Sequence, residues 1–90
     1  MKSIVFQASS GLKITVTVPS STTLKELFLV YCERIGIGEA VIRNNIIFFF
    51  FDAMQLKFND KRKVSDVFKR DACVIIVIDK DNVIGALNKN

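Results

Sequence analysis

The run Ile46-Ile47-Phe48-Phe49-Phe50-Phe51, closed by Asp52, constrains this chain more than any other stretch. It is too short for a helix of ordinary length and is built from β-branched and aromatic side chains, which argues for a strand. Side chains alternate faces along a strand. Ile47, Phe49 and Phe51 therefore share one face, and Ile46, Phe48 and Phe50 the other. One set can fill the core of a small domain. The other set needs a second explanation, and that requirement is the strongest functional statement the residues make.

The chain has 90 residues, enough for one domain near the lower end of independent folding. Half of its residues are hydrophobic, so a packed core is expected rather than disorder. Thirteen basic and nine acidic residues give a net charge of +4, which permits an acidic partner without demanding nucleic acid. The two cysteines, Cys32 and Cys73, form no CxxC pair and read as reduced thiols of a cytosolic protein. The absence of histidine removes the commonest general base and the commonest zinc ligand. The N-terminal apolar run is too short for a signal peptide, and no run approaches the ~20 residues of a membrane span. The expected location is a reducing cytoplasmic or nuclear compartment.

Along the chain, residues 3 to 8 read as a strand, and Ser9-Ser10-Gly11 as a hairpin turn. Leu12 to Val18 alternates cleanly, with Ile14, Val16 and Val18 apolar and Lys13, Thr15 and Thr17 polar. That is a strand with one wet face. Pro19 ends it. Thr23 stands three residues before Glu26, the spacing of a capping box. Leu24, Leu27, Phe28, Tyr31 and Ile35 recur at helical spacing, and Gly36 falls where a left-handed C-cap is expected. A connector over 37 to 45 leads to the Phe-rich strand. Asp52-Ala53 makes a tight turn, Met54 to Phe58 a short edge strand, and Val64, Val67 and Phe68 a helical turn that Ser65 or Asp66 can cap. Cys73 to Ile78 is an uninterrupted β-branched run, which fits a central strand buried on both faces.

This order of hairpin, helix, strand, short strand, helical turn and strand resembles the ubiquitin-like superfamily. The resemblance spans roughly residues 3 to 78. It rests on the Val18-Pro19-Ser20 strand exit, the Thr23-Leu24 helix start and the Gly36-Ile37 helix exit. It rests also on Phe51 with Gln55-Leu56, similar to the family's Ile-Phe-Ala-Gly-Lys-Gln-Leu stretch, and on Val64-Ser65-Asp66, similar to its Leu-Ser-Asp turn. The resemblance implies an α+β β-grasp fold: a mixed four- to five-stranded sheet with one main helix packed on one face. Residues 1 to 79 would form the ubiquitin-like domain and 80 to 90 a C-terminal tail. The tail departs from the family's conjugated members, since it carries Gly85 and no diglycine. Met54 stands where the family often has a modified lysine. A modifier branch of the family ends in a single glycine freed by trimming, with a similar approach (Asp81, Val83, Gly85), so conjugation through Gly85 is the alternative function.

In such a fold the helix covers one sheet face. The register expected for this chain turns Ile4, Phe6, Ile14, Val16, Val18, Phe49, Val74, Ile76 and Ile78 toward the helix. It leaves Val5, Phe48, Phe50, Ile75 and Val77 on the opposite face. The resemblance makes Phe50, Ile75 and Val77 part of the family's partner-binding patch, with Ser9 in place of a loop leucine. An apolar patch of this kind is unusual on a monomer. A protein partner or self-association can cover it, or the tail can fold back through Val83, Ile84 and Leu87. A one-residue register slip would invert a strand and make the face less apolar.

Other chemistry finds little support. The basic residues Lys57, Lys61, Arg62, Lys63, Lys69 and Arg70 lack the interleaved aromatic platforms of a nucleic-acid surface and read as a solvated loop. Asp60, Asp66 and Asp71 come with no phosphate loop, metal spacing or nucleophile–base pair. Cys32 and Cys73 read as small core hydrophobes. The expectation is a non-enzymatic interaction module with no cofactor, no metal and no catalytic residues.

Overall fold

The computed structural model describes residues 1–38, 46–70 and 72–80. These form β1 (Lys2–Ala8), β2 (Lys13–Val18), α1 (Leu24–Ile35), β3 (Ile47–Phe51), β4 (Met54–Leu56), α2 (Val64–Val67) and β5 (Ala72–Asp79). The fold is α+β. Five strands make one mixed sheet in the order β2-β1-β5-β3-β4, with α1 packed on one face, an arrangement compatible with a β-grasp. β5 lies in the centre, parallel to β1 and antiparallel to β3.

Local chemistry sets the element ends as the sequence suggests. Thr23 caps α1 with a reciprocal box: its hydroxyl accepts from the Glu26 N–H at 3.2 Å, and its own N–H donates to Glu26 Oε1 at 3.1 Å. Gly36 closes the helix at φ 78°, in the left-handed region that a side chain penalises. The first turn of α1 is further satisfied by the loop before α2, since the N–H groups of Leu24 and Lys25 donate to the carbonyls of Arg62 and Asp60. Asp66 caps α2 by accepting from the Lys63 N–H at 3.1 Å.

The core is aromatic at its centre. Phe6 of β1 stacks on Tyr31 of α1 at 4.2 Å, and Phe28 of α1 stacks on Phe49 of β3 at 4.2 Å. Phe6 and Phe49 meet edge to face at 6.0 Å, which ties the two stacks together. Ile47 and Phe49 are buried, and Phe51 packs edge to face on Phe68 at 4.7 Å, so that face of the Phe-rich strand is core.

One expectation is overturned. Ile75 and Val77 do not lie on the open face of the sheet: both are completely buried against the helix side. Val74, Ile76 and Ile78, expected to face the helix, are exposed at 45, 42 and 39 %. β5 is therefore central but buried on one face only. The cause is the pairing. Ile4 and Phe6, both buried, align with Cys73 and Ile75 across the parallel ladder, and Phe49 faces Val77 across the antiparallel one. Residues directly opposite each other share a face, so the odd positions of β5 go inward. The edge strand is also shorter than the sequence suggests, ending at Leu56 rather than Phe58.

Candidate functional site

The open face of the sheet is assembled from the outward positions of every strand. One row crosses the sheet through successive pairs: Lys13 with Gln7, Gln7 with Ile76, Ile76 with Phe50, and Phe50 with Gln55. A second row runs from Thr15 through Val5 to Val74. Phe48 faces Ile78 on the other side of the first row. The apolar centre is thus Val5, Phe48, Phe50, Val74, Ile76 and Ile78. Val5, Phe48 and Phe50 are half-buried by their neighbours, while the three β5 residues stand prouder.

Of the residues the sequence singles out, Val5, Phe48 and Phe50 lie on this face, and the inward Ile75 and Val77 do not. Gly85 and the apolar tail positions fall outside the described residues. Val74, Ile76 and Ile78 join the face without being marked for it by the sequence. Cys73 to Ile78 contains no polar residue, so no alternation marks its faces. The usable signal was the partner strand, because Phe49 belongs to the core and its opposite number must share its side.

The rim is cationic. Lys13 ends the first row on β2. Lys57 and Lys80 each follow an outward position, Gln55 and Ile78, at the strand's alternation, and all three lysines are exposed. None of them forms an ion pair among the described residues. Three carboxylates lie near this rim: Asp79 between Ile78 and Lys80 in sequence, Asp52 in the turn between β3 and β4, and Asp60, whose carboxyl feels the charge of Lys57.

Burying what remains exposed of Val74, Ile76 and Ile78 would contribute about 1 kcal/mol each, since a whole side chain of this kind is worth roughly 1.5–3 kcal/mol. The two phenylalanines add contact area at the centre, where binding energy concentrates in protein interfaces. An extended apolar surface with a polar rim is the anatomy of such an interface.

The remaining polar groups serve the fold. Asp60 holds Arg62 through paired contacts, the shortest 2.7 Å, and the hydrogen bonds from that guanidinium keep its carboxyl below the usual range. Glu26 is likewise shifted down by the Thr23 N–H and then by the Thr23 hydroxyl. Cys32 and Cys73 are buried thiols, and Cys73 Sγ donates to the Arg70 carbonyl at 3.5 Å. Ser9 Oγ accepts from the Asp79 N–H at 3.1 Å and pins the β1–β2 hairpin to β5. Among the described residues no helix is long and apolar enough to cross a membrane. No protein-family model matches the sequence, and no curated protein matches it with significance.

Proposed function

We propose that the chain is a non-enzymatic, ubiquitin-like protein-interaction module that presents the open face of its sheet to a partner. The observation that carries this reading is the contiguous set Val5, Phe48, Phe50, Val74, Ile76 and Ile78, left open on the side away from α1. A solvated sheet face needs no phenylalanine or isoleucine, because antiparallel sheets commonly turn a polar face to water. The element order and the five-stranded sheet with one covering helix support the likeness to ubiquitin-like modules.

The rim favours a different protein over a second copy. Two copies packed face to face would bring Lys13, Lys57 and Lys80 of each together, with like charges opposing association. A partner with an apolar centre and carboxylates around it would meet the same rim favourably.

The test is a paired substitution, Phe50→Asp with Ile76→Asp. A protein recovered with the wild-type chain from its native cell should be lost with the variant, while circular dichroism and cooperative melting stay unchanged. Undiminished recovery by a folded variant would refute the reading.

A further inference from the structure

A cleft of about 430 Å³ opens beside the sheet, lined by Phe51, Asp52, Val67, Lys69, Arg70, Ala72, Cys73 and Val74. Three separate parts of the chain build it: the end of β3 with its turn, the segment from α2 to the loop after it, and the start of β5. Its volume lies within the ~300–1,000 Å³ range of ligand clefts. We propose that this cleft is a second docking site, which takes a partner's peptide segment bearing a bulky apolar side chain next to a carboxylate. The proposal rests on reading the chain as a protein-interaction module, and it adds a site that adjoins the sheet face at Val74.

The lining divides by chemistry. Phe51, Val67, Ala72, Cys73 and Val74 supply the apolar part of the lining, beside a polar part of similar extent. Phe51 is held by its edge-to-face contact with Phe68, so that part of the lining is preformed. Lys69 and Arg70 are exposed at the same cleft, and neither has a carboxylate partner among the described residues. Among the described residues Lys69 Nζ reaches only the Ser65 carbonyl, at 3.4 Å. The two adjacent cations select a carboxylate, and Arg70 can grip it with two parallel N–H donors. Asp52 is the remaining charged lining residue. It is exposed in the β3–β4 turn and is suited to accept a backbone N–H of a bound peptide. Apolar anchor, carboxylate and peptide N–H together describe a peptide segment better than a free anion, which would satisfy only the cations. Val74 belongs both to this cleft and to the open face, so one partner can occupy the two surfaces continuously.

The probe is a blocked peptide with a phenylalanine followed by two aspartates, titrated into ¹⁵N-labelled full chain. The controls are its counterpart with two asparagines, and phenylpropionate. Shifts should concentrate on the amides of Phe51, Asp52, Lys69, Arg70, Cys73 and Val74, and the asparagine peptide should bind at least about tenfold more weakly, the loss of one charge-assisted contact. Lys69→Ala with Arg70→Ala should abolish the preference for the acidic peptide. Ile76→Asp should leave this titration unchanged while removing the partner of the sheet face, so the two readings fail separately. Equal binding of both peptides, shifts confined to the open face, or phenylpropionate binding as tightly as the acidic peptide would each overturn the proposal.

Discussion

Ile75 and Ile76 are neighbours of the same residue type in the same central strand, and their truncation should have very different consequences. Ile75 is wholly buried, whereas Ile76 is 42 % exposed. Changing isoleucine to alanine removes three carbons, worth about 2.4 kcal/mol of transfer free energy at ~0.8 kcal/mol per buried carbon. At Ile75 the cavity left against Phe6 and its neighbours adds to this, for a total of about 3–4 kcal/mol. At Ile76 only part of that burial is lost and solvent fills the space, so the cost is about 1 kcal/mol. With a urea slope of ~1–1.5 kcal/mol/M for a chain this small, Ile75→Ala should lower the unfolding midpoint by roughly 2–4 M and Ile76→Ala by no more than about 1 M. Equilibrium urea unfolding followed by circular dichroism, with slopes compared for all three proteins, measures both. Equal shifts, or a larger shift for Ile76→Ala, would refute the inward placement of Ile75 and with it the whole composition of the open face.

Tyr31 Oη is buried with no hydrogen-bond partner among the described residues, so Tyr31→Phe should keep the stack on Phe6 and raise stability by about 1 kcal/mol; a clear loss on chemical unfolding would show that the hydroxyl is satisfied. Burial, and then the charges of Cys32 and Asp79, push the Tyr31 phenol well above its ordinary value. Its contribution is therefore complete below the unfolded value of about 10 and is lost as pH rises beyond it, so the Tyr31→Phe chain should lose less stability in alkali, and identical alkaline profiles would count against this. Ala53 sits at φ 64°, a left-handed conformation costing a side chain about 1 kcal/mol or more, so Ala53→Gly should raise the melting temperature by several degrees, and a fall would contradict the turn geometry. Thr23→Ala should cost about 1 kcal/mol at neutral pH by removing the cap. Because the Thr23 groups lower the Glu26 value, the carboxylate's share of the box is present above the ordinary carboxylate range and is lost as pH falls through the lowered value. Thr23→Ala keeps the N–H bond to the carboxylate and loses the hydroxyl's, so the gap between wild type and Thr23→Ala should narrow only in part in acid, and a constant gap from pH 7 to 3 would argue against the hydroxyl–carboxylate bond.

Most of the architecture was legible because its signals are local. The alternation of β2 shows in Ile14, Val16 and Val18; Thr23 and Glu26 mark the start of α1 three residues apart; Gly36 marks its end. The Phe-rich run gave its two faces correctly, since Ile47 and Phe49 are core and Phe48 and Phe50 are not. The face of β5 was not legible. Val74 and Ile75 have the same β-branched character, and which of them points inward is decided by hydrogen-bond register with β1 and β3, a long-range property. The run looked buried on both sides because a strand that is half core and half interface has the same composition as one that is all core. The cleft was out of reach for a related reason: Phe51, Arg70 and Val74 meet only after the sheet has closed.

Ile76 is exposed at the crossing point of the row from Lys13 to Gln55, in the middle of the open face. Replacing Ile76 by a photo-crosslinking amino acid in the native cell tests that centre most directly, with the same replacement at Lys25, an exposed residue of α1, as the control. A covalent adduct with a different protein is expected from position 76 and none from position 25. Adducts only between copies of this chain, or equal labelling from both positions, would contradict it.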